Sequence, residues 1–252
     1  MPYLPKFKHF FIAFIGLLLL VALPSVGVLI GFRQAASLSE NTILISADSP
    51  QQTLSVGIIG GSFATELAKP AYTQWVKALG IDYTTYAKGG AGFVQGKKNF
   101  LEQARQVGVH DIYIIWCSTN DFVHSIPIGT KADIYGKNKT IWANFKEIIR
   151  ILYEKNPKAK IALFTSSPHL ASSQGNEEEW GKTTTHKHTL KEHVEAQKQM
   201  AAFYSLPCLD QYNNAQQNSL NYTLVCKNND FHLTPYGYSL LVNRQTDFLS
   251  KL

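Results

Sequence analysis

Between Leu54 and Leu249 short apolar runs alternate with longer segments of helical spacing, and that alternation leaves few folds open to the chain. The run DIYIIWC, Asp111 to Cys117, is continuous, β-branched and aromatic, the pattern of a strand buried on both faces. Leu54 to Gly60 reads as the first strand of the chain, Asp82 to Ala87 as a weaker second one, and Lys160 to Ser166 and Pro207 to Asp210 complete a set of five. Between them, Thr65 to Leu79 repeats Leu67, Tyr72, Trp75, Val76 and Leu79 at helical spacing. Further helices are expected near Asn99 to Val107, Ile141 to Lys155 and Leu190 to Tyr204. Thr234-Pro235 opens the last one, an N-cap followed by proline at the first helical position. Strand and helix in alternation predict a three-layer α/β/α domain around a central, mostly parallel five-stranded sheet. A chain of 252 residues is long enough for one such domain, and no internal repeat shows.

The N-terminus stands apart in composition. Lys6, Lys8 and His9 precede a run from Phe10 to Phe32 that holds no charge, close to the ~20 residues that cross a bilayer. With positive charge before the run and only Arg33 just after it, the N-terminus is expected in the cytoplasm and the remainder outside. A cleaved signal peptide is the rival reading, although Arg33-Gln34-Ala35-Ala36-Ser37 is a poor match to a small-x-small cleavage site. The expected organisation is a signal anchor over 1–34, a polar linker rich in Ser, Gln and Asn over 35–52, and a folded domain over 53–252. That domain is expected to be periplasmic or extracellular, either held at the membrane or secreted. Cys117, Cys208 and Cys226 allow at most one disulfide and leave an odd thiol. Cys117 lies in the most apolar strand and reads as a small buried hydrophobe. The net charge of +6 comes from scattered lysines with no basic cluster interleaved with aromatics, which argues against a nucleic-acid partner.

In parallel α/β sheets ligands gather at the carboxyl ends of the strands, and there the unusual residues fall. Gly60-Gly61-Ser62 follows the first strand, Lys88-Gly89-Gly90-Ala91-Gly92 the second, and Ser118-Thr119-Asn120-Asp121 the third. Asn229-Asp230-Phe231-His232 precedes the last helix. The first corner is not a P-loop, because no lysine precedes the hydroxyl residue. Nor is it a dinucleotide fingerprint, since Gly57, Gly60 and Gly61 have the wrong spacing and Asp82 lies at the beginning of the second strand. His186 and His188 form an H-x-H in a polar loop whose nearest carboxylate, Glu192, falls in the helix beyond, a weak metal signal. No metal and no organic cofactor is implied.

Taken together, the four blocks resemble the SGNH, or GDSL-like, hydrolases, a superfamily of esterases and lipases with a flavodoxin-like fold. Gly60-Gly61-Ser62 resembles the first family block, with Gly61 where Asp is usual, and Gly90 the glycine of the second. Ser118 to Asp121 resembles the Gly-x-Asn-Asp block with Ser118 replacing glycine, and Asn229 to His232 the Asp-x-x-His block with Asn229 replacing Asp. The likeness runs over about residues 54 to 250. It implies Ser62 as nucleophile and His232 as the base that takes its proton. It also implies an oxyanion hole made by the N–H groups of Ser62 and Gly90 and the side-chain amide of Asn120. Asn229 or a main-chain carbonyl is the favoured group to orient His232, with Asp230 directed elsewhere, since adjacent residues of an extended loop point opposite ways. A shift of the loop would give Asp230 the role instead, and a site with neither would be slow or inactive. The expected protein is an exported, membrane-anchored serine esterase acting on acetyl or similar acyl groups of an envelope glycan or other small ester. The departures at Gly61, Ser118 and Asn229 keep a second reading open, a fold retained as a non-catalytic glycan-binding or assembly module.

Overall fold

The computed structural model describes residues 53–136, 139–168, 188–218, 220–227 and 232–252. Five strands form one sheet: β1 (Ser55–Gly60), β2 (Asp82–Thr85), β3 (Ile112–Trp116), β4 (Lys160–Phe164) and β5 (Cys208–Leu209). All neighbours are parallel, in the order β2-β1-β3-β4-β5. That is the flavodoxin-like winding with helices on both faces. β3 is buried along its whole length, whereas β2 alternates between exposed and half-buried, as an edge strand does.

The side chains of β3 divide by the period of two that a strand imposes. Tyr113, Ile115 and Cys117 face one core, with Phe100 and Ala104 of α2 (Phe100–Gln106), Phe145, Ile148 and Leu152 of α4 (Ile141–Lys155), and Met200 of α5 (Leu190–Phe203). Ile112, Ile114 and Trp116 face the other, with Tyr72 and Trp75 of α1 (Lys69–Leu79) and Tyr238 and Leu241 of α8 (Pro235–Leu249). Gly60, Trp116 and Phe164 lie in register at the ends of β1, β3 and β4. The chain therefore leaves three adjacent strands at one level, and the loops that follow share a rim.

The expected helix from Thr65 starts later. Thr65 caps a 3₁₀ turn, accepting from Leu67 N–H at 3.4 Å and donating to Ser62 O at 2.7 Å, and the α-helix begins only at Lys69. Pro70 explains the delay, because proline is tolerated only in the first turn. Three four-residue helices have no counterpart in the sequence reading: α3 (Asn120–Val123), α6 (Gln211–Asn214) and α7 (Tyr222–Val225). One turn is too short to show a period.

Cys117, Cys208 and Cys226 form no disulfide; Cys117 and Cys226 are buried and Cys208 partly so. Burial pushes the Cys208 thiol up to about 12. Among the described residues no helix is long and apolar enough to cross a membrane, and the run Phe10 to Phe32 lies outside them.

Candidate active site

Ser62 stands where β1 ends and a 3₁₀ turn over Ser62–Ala64 begins. The corner is held from several sides. Gln103 of α2 accepts from Gly60 N–H at 2.8 Å and donates to Gly60 O at 3.0 Å and to Lys98 O at 2.9 Å. Tyr238 of α8 donates to Phe63 O at 3.1 Å, and Ala64 O accepts from Tyr72 at 2.5 Å and from Thr85 Oγ1 at 2.7 Å. Ser62 itself is half-buried. Neither its hydroxyl nor its N–H makes a hydrogen bond among the described residues.

The glycine-rich loop comes to the same corner. Lys88 N–H donates to Gly60 O at 3.1 Å, and Gly90 sits in the left-handed region at φ +73°, which suits glycine. Gly90 is exposed and its N–H is without a partner among the described residues. The next stretch is gripped by Asp121, whose carboxylate accepts N–H groups from Phe93 at 2.5 Å, Val94 at 3.1 Å and Gln95 at 2.9 Å. A Cβ on Gly92 would meet that carboxylate at 2.4 Å. Burial raises the Asp121 pKa above the ordinary carboxylate value, and the three N–H donors pull it only part of the way back.

Asn120, the first residue of α3, reaches the loop through its side chain. Nδ2 donates to Ala91 O at 2.9 Å and lies 3.2 Å from Ser118 Oγ, and Ser118 Oγ donates to Ala91 O at 2.6 Å. Those three distances put the two acceptors about 50° apart as seen from Nδ2, whereas the two hydrogens of a planar amide diverge by about 120°. One amide hydrogen is therefore shared between both acceptors, and the other points away from them.

His232 is set by the entry to α8. Cys226 and Leu233 form an antiparallel bridge, Lys227 N–H donates to His232 O at 2.9 Å, and Thr234 N–H donates to Val225 O at 2.8 Å. Thr234 then caps α8, accepting from Gly237 N–H at 3.1 Å. These contacts leave the half-buried His232 ring beside Phe63, with centroids 5.9 Å apart, next to the serine corner. Asn229 and Asp230, the candidates to orient it, lie outside the described residues, as does His186. His188 is described, with Nδ1 4.0 Å from Glu192.

Ser62, Gly90, Asn120 and His232 are thus tied to one rim through their immediate neighbours. A hydroxyl, an imidazole and three N–H donors are the parts acyl transfer uses. Two of the three departures from the family pattern explain each other. A Cβ on Gly61 would lie 2.4 Å from Ser118 Cβ and 2.9 Å from Ala91 O, so Ser118 stands where a side chain at position 61 would begin. The exchange is a steric complement and gives no support to an inactive site. Gln103 and the grip of Asp121 were missed from sequence. The available signal was a polar residue inside the apolar stripe Phe100, Ala104, Val107.

The family described as GDSL-like Lipase/Acylhydrolase matches residues 58–240. Among solved structures, a protein from Lactobacillus plantarum superposes with a TM-score of 0.66 at 15% identity, covering 79% of this chain and 98% of its own. A possible lipase from Chitinophaga pinensis gives 0.60 at 16% identity, over 79% of this chain and 98% of that one. A member of the lipolytic protein G-D-S-L family from Veillonella parvula gives 0.55 at 13% identity, over 79% and 100%. At these identities the likeness is one of fold. Comparison with curated proteins finds no match.

Proposed function

Since the chain belongs to the GDSL-like lipase/acylhydrolase family and is a hydrolase of ester bonds, we propose that Ser62 is its nucleophile, His232 its base, and Asn120, Gly90 and Ser62 its oxyanion donors. The observation that supports this most directly is the set of uncommitted hydrogens. The N–H groups of Ser62 and Gly90 have no partner among the described residues, and one Asn120 amide hydrogen points away from both acceptors of the other. In water such donors are satisfied by solvent, and in a covered site they meet the oxygen on which charge develops.

In this mechanism Ser62 Oγ attacks the ester carbonyl as His232 takes its proton. The oxyanion collapses, the alcohol leaves with that proton, and a water molecule activated by His232 then releases the acid from the acyl-enzyme. Losing one oxyanion donor typically costs about 10²- to 10³-fold in rate. Asn229 or a carbonyl orients the imidazole in this scheme. An amide oxygen holds the tautomer but stabilises the imidazolium less than a carboxylate does.

The substrate we favour is an acetyl or similar acyl ester on an envelope carbohydrate, reached from the outer side of the membrane. The uncharged run Phe10 to Phe32 and the lysines before it support the anchoring. The glycan follows from that location. Ser62→Ala is expected to abolish hydrolysis of p-nitrophenyl acetate with an unchanged melting curve. In the same assay Asn229→Asp should give a gain or little change and Asp230→Ala a modest loss. Full turnover by a folded Ser62→Ala protein removes Ser62 from the mechanism, and collapse in Asp230→Ala transfers the orienting role to that residue.

A further inference from the structure

Ser118 joins Ala91, Asn120 and Ser166 through hydrogen bonds of its hydroxyl and its carbonyl. Its side chain is buried, and its hydroxyl hydrogen has one direction open to it, because Ala91 O at 2.6 Å can only accept. With the hydrogen committed there, the oxygen lone pairs turn to Asn120, whose backbone N–H lies at 3.3 Å and whose Nδ2 lies at 3.2 Å. Ala91 O in turn receives both Ser118 Oγ and Asn120 Nδ2. The result is a closed three-membered set that fixes one amide hydrogen and so aims the other.

The backbone of Ser118 is fixed from the opposite side. Its carbonyl accepts from Ser166 Oγ at 2.8 Å, and Ser166 is held by Gln197, which accepts from Ser166 N–H at 2.9 Å and donates to its hydroxyl at 3.0 Å. Ser166 and Gln197 are both buried. The Ser118 hydroxyl is thus carried on a backbone pinned to the end of β4. It also touches Ala91, the neighbour of Gly90, and so links two of the three oxyanion donors.

Resting on the reading of Asn120 and Gly90 as oxyanion donors, we infer that Ser118 is a positioning residue for the oxyanion hole, and that Gly61 is small in order to admit it. Any side chain at position 61 starts 2.4 Å from Ser118 Cβ, 3.0 Å from its Oγ and 2.9 Å from Ala91 O. It would displace both ends of the Ser118 to Ala91 bond at once. A hydroxyl that only filled space would make none of these demands on its direction.

The test is a double-mutant cycle between Ser118→Ala and Asn120→Ala, with p-nitrophenyl acetate as substrate and melting curves for every variant. Asn120→Ala should lower kcat by about 10²- to 10³-fold, the cost of an oxyanion donor. Ser118→Ala should lower kcat by about 10-fold or more with KM within a factor of about two, because the interaction lost is one made in the transition state. In the Asn120→Ala background the same Ser118→Ala change should cost less than about 2-fold, since the group it aims is gone. Should Ser118→Ala lose its cooperative melt, Ser118→Cys keeps the shape, weakens the donor and enters the same cycle. Fully additive losses would overturn the inference, showing that Ser118 does not act through Asn120. A rise in KM at constant kcat would overturn it too. An active Ser62→Ala protein would instead defeat the underlying reading of the site, and an unimpaired Asn120→Ala protein would defeat both.

Discussion

Gln103→Met swaps a buried amide for an unbranched apolar chain of similar length, and the structure permits its cost to be worked out bond by bond. Gln103 is 2% exposed and its side chain makes three hydrogen bonds, to Gly60 N–H, Gly60 O and Lys98 O. Lys98 is exposed, so water can replace the partner of its carbonyl. Gly60 O keeps the N–H of Lys88 at 3.1 Å. Gly60 N–H keeps no acceptor among the described residues, and a buried donor left without an acceptor costs about 1–3 kcal/mol beyond the ~1 kcal/mol of an ordinary bond. The sum is about 3 kcal/mol, which for a domain of this size lowers Tm by roughly 10 °C. Gln106→Met, at an exposed position of the same helix, should stay within about 0.5 kcal/mol. Thermal and urea melts of both variants measure the difference, and ester turnover should fall with Gln103→Met because the lost clamp holds the residue two before Ser62. Gln103→Glu sharpens the test. It keeps an acceptor for Gly60 N–H but turns a carboxylate oxygen towards two carbonyls, which raises its folded pKa. That variant should be most stable below the unfolded value of about 4.3 and lose stability as pH rises through the folded one. A Gln103→Met protein melting within 2 °C of the parent, using about 2–4 °C per kcal/mol as the scale, would refute the reasoning.

Asp111 accepts from Ser55 N–H at 2.9 Å and Ser55 Oγ at 2.8 Å, and these bonds hold its carboxyl below the usual carboxylate range. Its stabilisation is therefore present above the unfolded value of about 3.9 and lost as pH falls through the lower folded one. Ser55→Ala should raise the Asp111 pKa in an NMR titration and flatten that acid limb, and an unmoved pKa would count against the assignment. Full-length protein should stay with membranes through carbonate extraction, and recovery in the soluble fraction with a new N-terminus after Phe32 would show cleavage instead.

What the sequence by itself determined is what local periodicity and order along the chain can carry. The five strands were legible because β-branched and aromatic runs such as Asp111 to Cys117 have no other common use. The last helix was legible from Thr234-Pro235, and Ile141–Lys155 was read to its observed limits, where Thr140 caps the first turn by accepting from Ala143 N–H. Placement of the Ser62, Gly90 and Asn120 blocks at one rim followed from strand-helix alternation, since a parallel sheet puts every βα loop at the same edge. Only the tertiary structure decided how those blocks fit. Gly61 and Ser118 read singly as two departures from a pattern, and became one feature when β1 and β3 were laid in register with Gly60 beside Trp116. Gln103 read as a polar residue on a short helix until α2 packed it against the end of β1. His232 owes its place to a bridge between Cys226 and Leu233 that no period announces. Steric complementarity and hydrogen-bond pairing join residues far apart in the chain, and neither leaves a local trace, because each exists only after the sheet has brought the partners within a bond's length.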